Sequence, residues 1–154
     1  MLERLFPQNK TNAYRGNPIA KWVFVLLTIV TIARSLVHMF SSDGGAQSIA
    51  TIPLDSFTVN GADVVILLFA LWGSSQLLIG IIYGFVLWRY QALIPLMYLL
   101  MIFEYGMRIV LGAIKPIETT GTAPGAIGDY IIIPLAIIML VLSLRNSDQE
   151  AQDA

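Results

Sequence analysis

Cysteine is absent from this chain of 154 residues, and histidine occurs once, as His38. The lack of cysteine excludes disulfides, iron–sulfur clusters, thiol nucleophiles and cysteine-ligated zinc, although it leaves the cellular compartment open. The single histidine excludes a bis-histidine haem within one chain and the zinc sites that need two or three histidines. We therefore predict no cofactor and no metal site.

Charged residues are also scarce. They make up 12% of the chain, against about 25% in a typical soluble domain. The formal net charge is −1 and no dense run of Lys and Arg occurs, so no nucleic-acid partner is expected. In contrast, 56% of the residues are hydrophobic and the mean hydropathy is +0.74. Because a soluble chain of this size could not bury so much apolar surface, a lipid bilayer is the expected solvent.

Common catalytic motifs are missing as well. The chain has no Gly-rich phosphate loop and no H-E-x-x-H motif, and it has no G-x-S-x-G nucleophile elbow. Ser35 lies three residues before His38, but this spacing fixes no acid and is what chance gives in a chain that contains serine. No catalytic residue is therefore predicted.

The hydrophobic residues are concentrated in four segments, each close to the roughly 20 residues that a membrane-spanning helix needs. The segments cover about 19–40, 63–88, 92–114 and 127–144. Together they predict an all-α integral membrane protein whose membrane domain, residues 19–144, is a bundle of four transmembrane helices. Pro134 lies inside the last segment, where neighbouring helices can tolerate it.

Basic residues flank these segments unevenly. They lie before the first segment, between the second and the third, and after the fourth: Arg4, Lys10, Arg15, Lys21, Arg89 and Arg145. The long connection after the first segment contains no Lys or Arg, and the one after the third contains only Lys115. The positive-inside rule therefore predicts that both termini are cytoplasmic and that the two longer loops face outward.

The segments outside the membrane domain are short. Residues 1–18 are expected to form a cytoplasmic N-terminal segment, and the polar, acidic residues 145–154 a disordered cytoplasmic tail. Four short spans with both termini inside resemble the layout of many small bacterial inner-membrane proteins. We therefore expect a multi-pass protein of the inner (plasma) membrane, although such an architecture does not indicate a function.

Polar side chains inside the predicted spans are the main candidates for a site, because ionisable groups at membrane depth are costly. They are Arg34, His38, Gln76, Glu104 and Arg108. From the rise of an α-helix, Arg34 and Arg108 come roughly 9 Å below the outer end of their helices, Glu104 about 15 Å and Gln76 about 20 Å. Most of these groups are therefore expected to meet in the outer half of the bundle.

Glu104 and Arg108 are spaced i, i+4 with the acid first, which is the better order for an ion pair on a helix. The pair can be purely structural, neutralising itself inside an apolar helix. It can also belong to a ligand site, since Arg34 adds a second cation against one carboxylate. His38 and Gln76 allow the same two interpretations, as a hydrogen-bonded interior residue or as part of a polar pocket.

Small residues form a stripe on the second helix. Gly73, Gly80 and Gly84 are predicted to let helices approach closely, and Gly80-x-x-x-Gly84 matches the small-xxx-small pattern of membrane helix interfaces. Packing within the bundle is one interpretation. The other is a homo-oligomer or a larger membrane complex that forms through this face or through the fourth helix.

These patterns predict a non-enzymatic accessory or binding subunit. Its polar pocket near the outer leaflet, built from Arg34, His38, Gln76, Glu104 and Arg108, would bind a membrane lipid or a quinone-like amphiphile, since apolar walls with a few converging polar groups typify such pockets. A small transporter or channel completed by homo-oligomerisation is one alternative. A membrane enzyme acting on a lipid or isoprenoid, with Glu104 or His38 as the acid–base group, is another.

Overall fold

The structure is a computed structural model, and it describes residue 5 and residues 12–145. The predictions for most of the first 11 residues, and for the tail after Arg145, lie outside the described residues. Within the described part the long elements are four α-helices: α1 (Pro18–Phe40), α2 (Val59–Arg89), α3 (Ile94–Ile114) and α4 (Pro124–Leu144). Short 3₁₀ turns occur at Leu54–Ser56 and Gln91–Leu93.

The starts of α1 and α2 are set by capping side chains. The Asn17 side chain accepts a hydrogen bond from the Ile19 N–H at 2.9 Å, so α1 begins at Pro18. Thr58 caps α2 in the same way, with Oγ1 accepting from the Gly61 N–H at 3.2 Å. Hence α2 starts at Val59. The apolar run alone predicts a later start, near residue 63, because the first helical turn is not apolar.

The helices form two antiparallel hairpins. α1 packs extensively on α2 and α3 on α4, while a smaller α1–α4 contact joins the hairpins and α2 touches α3 only slightly. The two long loops, residues 41–58 and 115–123, lie together at one end of the bundle, which we call the loop end. The α2–α3 turn and residues 12–17 lie at the opposite end, here called the terminal end.

The two largest fully buried side chains, Tyr98 and Phe24, lie toward the terminal end. Phe24 of α1 is fully buried between two tyrosine rings, with centroids 5.1 Å from Tyr83 of α2 and 5.5 Å from Tyr98 of α3. The Tyr98 hydroxyl donates to the Ala20 carbonyl at 2.6 Å, so its polar atom is satisfied although the side chain is buried. Three of the four helices therefore meet at this aromatic cluster, and α4 joins the same core through Ala136 and Met139.

Residues 12–17 are tied to the end of α4. The Asn17 N–H donates to the Leu142 carbonyl at 3.2 Å, and the Tyr14 hydroxyl donates to the Asn17 carbonyl at 3.1 Å. Gly16 has no room for a side chain, because a Cβ would collide with the Ser143 carbonyl and the Tyr14 hydroxyl. Residues 12–17 are therefore held against the last turn of α4.

Large apolar side chains cover much of the bundle surface. Trp22 of α1, Leu71 of α2, Phe103 of α3 and Ile138 of α4 are each more than half exposed. Four helical segments are long and apolar enough to cross a membrane: Pro18–Phe40, Val59–Arg89, Gln91–Ile114 and Pro124–Leu144. The prediction of an all-helical protein with four such helices is confirmed.

Candidate functional site

Two buried hydroxyl groups on one face of α1 are satisfied within the helix itself. Thr28 and Ser35 are buried, and their hydroxyls donate to the carbonyls four residues earlier, at 2.8 and 2.6 Å. Such bonds leave little hydrogen-bonding capacity for a ligand. This face of α1 is the surface on which α2 packs.

Two of the three predicted packing glycines face that surface. A Cβ on Gly73 would come within 2.8 Å of the His38 Cβ, and one on Gly80 within 2.7 Å of the Ile32 Cγ1. A Cβ on Gly84 would meet nothing within 4 Å. Gly73 and Gly80 thus allow the close approach of α1 and α2, whereas Gly84 makes no such contact in the described chain. Oligomerisation through Gly84 or α4 stays a prediction.

Four of the five predicted site residues are connected by hydrogen bonds between α1, α2 and α3. Arg34 donates from Nη2 to the Gln76 Oε1 at 3.2 Å, and Gln76 donates from Nε2 to the Glu104 Oε1 at 2.9 Å. Arg108 donates to the same oxygen, from Nε at 3.1 Å and also from Nη2, as part of an ion pair. The amide of Gln76 therefore links two arginines and one carboxylate into a single network.

The network uses its polar atoms unequally. The hydrogen bonds from Gln76 and Arg108 to Glu104 all end on its Oε1, and no donor from the described residues reaches Oε2. The Nε of Arg34 is buried without a hydrogen-bond partner among the described residues. The side chains of Arg108 and Glu104 are 17% and 27% exposed, so the pair is accessible from outside the bundle. The network thus contains a buried donor, the Arg34 Nε, and a carboxylate oxygen, the Glu104 Oε2, that have no hydrogen-bond partner among the described residues.

Trp72 of α2 lies at the centre of this region. Its ring is 5.6 Å from the Arg34 guanidinium carbon and 5.0 Å from that of Arg108, both within cation–π range. The His38 ring lies 4.7 Å from it. Trp72 therefore supports both arginines on one aromatic side chain. We refer to Arg34, Trp72, Gln76, Glu104 and Arg108 as the charged cluster.

Trp72 is a residue that sequence reasoning missed. Its spacing from Gln76, four residues on the same helix, is the signal that could have found it.

His38 has a different role from the rest of the predicted site. Its Nδ1 lies 2.8 Å from the Gly44 carbonyl, and its side chain is buried. Because a carbonyl can only accept, Nδ1 carries the proton and donates. Gly44 and the next residue, Gly45, have φ of +61° and +74°, which favour glycine. His38 thus ties the first long loop to α1, and its ring lies against Trp72 of the charged cluster.

Asp129 in α4 is a second residue that the sequence analysis missed. It is near enough to Arg108, Arg34 and Glu104 to interact electrostatically with each of them. No ion pair joins it to an arginine or lysine of the described residues. Asp129 therefore brings a second acidic side chain to the loop end, which the count of polar residues in the spans did not include.

The two long loops are tied together above this region. The Thr51 carbonyl accepts from the Thr120 N–H at 2.9 Å, and the Thr51 hydroxyl donates to the Gly121 carbonyl at 2.8 Å. Thr51 has φ of +57°, a left-handed conformation that is rare for a β-branched residue. The strained backbone at Thr51 brings its carbonyl and its hydroxyl to the same partner loop.

The first long loop has its own internal brace at Asp43. Its carboxylate accepts from the N–H groups of Gly45 at 2.8 Å, Ser48 at 2.7 Å and Gln47 at 3.1 Å. Desolvation by burial acts to raise the pKa of Asp43, but these N–H donors outweigh it and lower the pKa to about 2. The loop is therefore ordered by a carboxylate that stays ionised in ordinary conditions.

The described residues contain no group of three or more His, Asp and Glu side chains placed to hold a metal ion. No protein-family model matches the chain, and no match is found among curated proteins or solved structures. The fold defines a multi-pass membrane protein with four spans and a charged cluster toward one end of the bundle.

Proposed function

We propose that this protein is a non-enzymatic binding or accessory subunit of the inner membrane, and that its charged cluster holds the polar head of a lipid-like or quinone-like amphiphile. Both termini would be cytoplasmic, because Arg89 and Arg145 lie at the terminal end whereas the first long loop carries no basic residue. The charged cluster would then belong to the outer leaflet.

The observation that carries this proposal is the state of Arg34. A purely structural arginine at membrane depth should be paired with a carboxylate, but Glu104, the carboxylate of this network, already accepts from Arg108 and Gln76. Among the described residues Arg34 donates a hydrogen bond only to the amide of Gln76, and its Nε is buried without a hydrogen-bond partner. A buried donor without a partner costs about 1–3 kcal/mol. An oxygen of a bound head group would remove that cost.

The surroundings suit a molecule with an apolar tail. Phe103 and Met107 lie beside Glu104 and Arg108 in α3 and are 68% and 41% exposed. Because α2 and α3 touch only slightly, apolar surface of both helices remains uncovered beside the network. A few converging polar groups with apolar flanks are typical of sites for small molecules.

Native mass spectrometry of the full chain in mild detergent, with extraction of bound lipids and quinones, tests this proposal. The wild type should keep an amphiphile that Arg34→Met loses while its helical circular dichroism spectrum is unchanged. Arg89→Met, which removes an exposed arginine at the terminal end, should keep the amphiphile. Equal retention by both variants, or a wild type without any adduct, contradicts the proposal.

A transporter or channel completed by homo-oligomerisation is the second candidate. The observation that favours it is the open side of Gly84, where no atom of the described chain would meet a Cβ within 4 Å. The same spectra give the stoichiometry. An oligomer that Gly84→Leu dissociates supports this candidate, and a monomeric wild type argues against it.

A further inference from the structure

We infer that the head group bound at the charged cluster carries an oxyanion, either a phosphate or a carboxylate, and that Arg34 holds it. The site then selects anionic amphiphiles over neutral ones such as quinones. The inference rests on the proposed function and names its ligand class.

The first argument is how little of the Arg34 guanidinium is used within the protein. A guanidinium presents five N–H donors in a planar fork. Among the described residues Arg34 donates one hydrogen bond, from Nη2 to the Gln76 Oε1 at 3.2 Å, and its buried Nε has no partner. Arg108, by comparison, donates to Glu104 from both Nε and Nη2. Of the two guanidiniums, Arg34 therefore keeps more of its fork for a ligand.

The second argument is that Arg34 has no negative partner. Its acceptor is the neutral amide of Gln76, and no carboxylate of the described residues forms an ion pair with it. Glu104 lies beyond that amide and is paired with Arg108. A charged side chain at membrane depth ordinarily pairs with an opposite charge. A quinone carbonyl would accept a hydrogen bond but leave the charge uncompensated, whereas an oxyanion supplies both the acceptor and the charge.

The third argument is the way in which the guanidinium is held. The Arg34 Cζ lies 5.6 Å from the centre of the Trp72 ring, and the hydrogen bond to Gln76 restrains one of its nitrogens. A planar fork fixed in this way suits phosphate and carboxylate, whose oxygens bind a guanidinium in bidentate geometry. The Arg108 guanidinium lies 5.0 Å from the same ring, so it adds positive potential nearby. Arg34 is therefore positioned to receive an oxyanion.

The test compares two matched pairs of amphiphiles on the full-length, delipidated protein in mild detergent. Dioctanoyl phosphatidic acid and dioctanoylglycerol differ only in the phosphate, and laurate and lauryl alcohol differ in the carboxylate. A short-chain ubiquinone and inorganic phosphate are the other probes, and dissociation constants come from native mass spectrometry. We expect the anionic member of at least one pair to bind about tenfold more tightly than its neutral counterpart and than ubiquinone. The pair that shows this preference distinguishes phosphate from carboxylate.

Variants assign the preference to Arg34. Arg34→Met should abolish it by weakening the anionic probe alone. Arg34→Lys should keep part of it, because the charge remains while the planar fork is lost. Arg89→Met, which removes an exposed arginine at the terminal end, should leave it unchanged. An equal loss in Arg34→Met and Arg89→Met would overturn the assignment to Arg34.

The outcomes separate the inference from the proposal beneath it. Equal binding within both pairs, or tighter binding of ubiquinone than of either anionic amphiphile, overturns the oxyanion but leaves an amphiphile site. Inorganic phosphate that binds as tightly as phosphatidic acid supports the oxyanion and overturns the amphiphile. Binding of no probe overturns both. The ranking by the wild type decides these cases even if the Arg34 variants do not fold.

Discussion

The terminal end of the bundle is held by close packing, whereas the loop end is held mainly by polar contacts. At the terminal end Phe24 lies between Tyr83 and Tyr98. The Tyr98 hydroxyl of α3 donates to the Ala20 carbonyl of α1. Toward the loop end the two hairpins are joined by the charged cluster, in which Gln76 donates to Glu104, and by hydrogen bonds between the loops. Packing is hard to exchange for other contacts, but hydrogen bonds and ion pairs can be exchanged for those of a ligand.

The same contrast separates stability from binding. Lipid tails are as apolar as core side chains, so membrane helices associate through packing and hydrogen bonds rather than through the hydrophobic effect. We therefore expect changes at the terminal end to lower stability most. Changes at the loop end should act mainly on ligand retention and on local order.

The largest effect is expected from Phe24→Ala. Removing this ring leaves a cavity between two tyrosines, and the free energy of unfolding should fall by about 3 kcal/mol, the lower end for a buried phenylalanine because no transfer from water is lost. Denaturant unfolding in detergent, followed by circular dichroism, measures it. Phe103→Ala, at a position 68% exposed, is the matched control and should change stability by less than about 0.5 kcal/mol. Similar losses in both would refute the packed core.

A smaller loss is expected from Gly73→Ala. The new Cβ would lie 2.8 Å from the His38 Cβ and 3.0 Å from the Ser35 carbonyl oxygen, so α1 and α2 must separate, at a cost of about 1–3 kcal/mol. Gly84→Ala has open space around it and should be neutral or slightly stabilising. The two variants are compared by thermal unfolding. An equal loss would mean that an interface outside this chain covers Gly84.

A subtler effect is expected at Thr51, where backbone strain and a hydrogen bond oppose each other. Thr51→Ala keeps φ near +57° and loses the donation to Gly121, so it should cost about 1 kcal/mol of local stability. Thr51→Gly loses the same bond but accepts the left-handed backbone, so it should be more stable than the alanine variant by about 1 kcal/mol. Hydrogen exchange at the Thr120 amide reports on both. Faster exchange in the glycine variant than in the alanine variant would contradict backbone strain at Thr51.

The smallest effect is a pH dependence confined to the first long loop. The pKa of Asp43 is lowered to about 2, below its ordinary value of 3.8. The stabilisation that it gives is therefore complete above pH 3.8 and is lost as the pH falls through about 2. Amide chemical shifts of Gly45 and Ser48 should titrate with that midpoint. Asp43→Asn should lack the transition. A wild-type midpoint near 4 would mean that the N–H donors of the loop do not stabilise the Asp43 carboxylate.

Part of this architecture could be predicted from the sequence because it depends on local pattern. The four spans follow from the length of the apolar runs, and the Glu104–Arg108 pair follows from i, i+4 spacing. The convergence of Arg34, Gln76 and Glu104 could be anticipated only as a shared depth, since which faces meet depends on how three helices pack.

Other features leave little local signal. Trp72 lies four residues from Gln76, which places the two on one face of a helix that is apolar on most sides, but this spacing alone does not show that the face meets the two arginines. Asp129 lies near the start of its helix, where a carboxylate is usually exposed. Thr51 and Thr120 are 69 residues apart, and their contact depends on how the two hairpins dock.

The most direct test of the central claim is the thermal unfolding of Arg34→Met and wild type, each with and without the amphiphile that co-purifies with the wild type. If the cluster is a binding site, the two proteins should unfold at nearly the same temperature without lipid, because Arg34 has no carboxylate partner among the described residues. The lipid should then raise the unfolding temperature of the wild type only. The account is contradicted if Arg34→Met unfolds at a much lower temperature than wild type without lipid and the lipid raises both unfolding temperatures equally. The cluster would then have a structural role only.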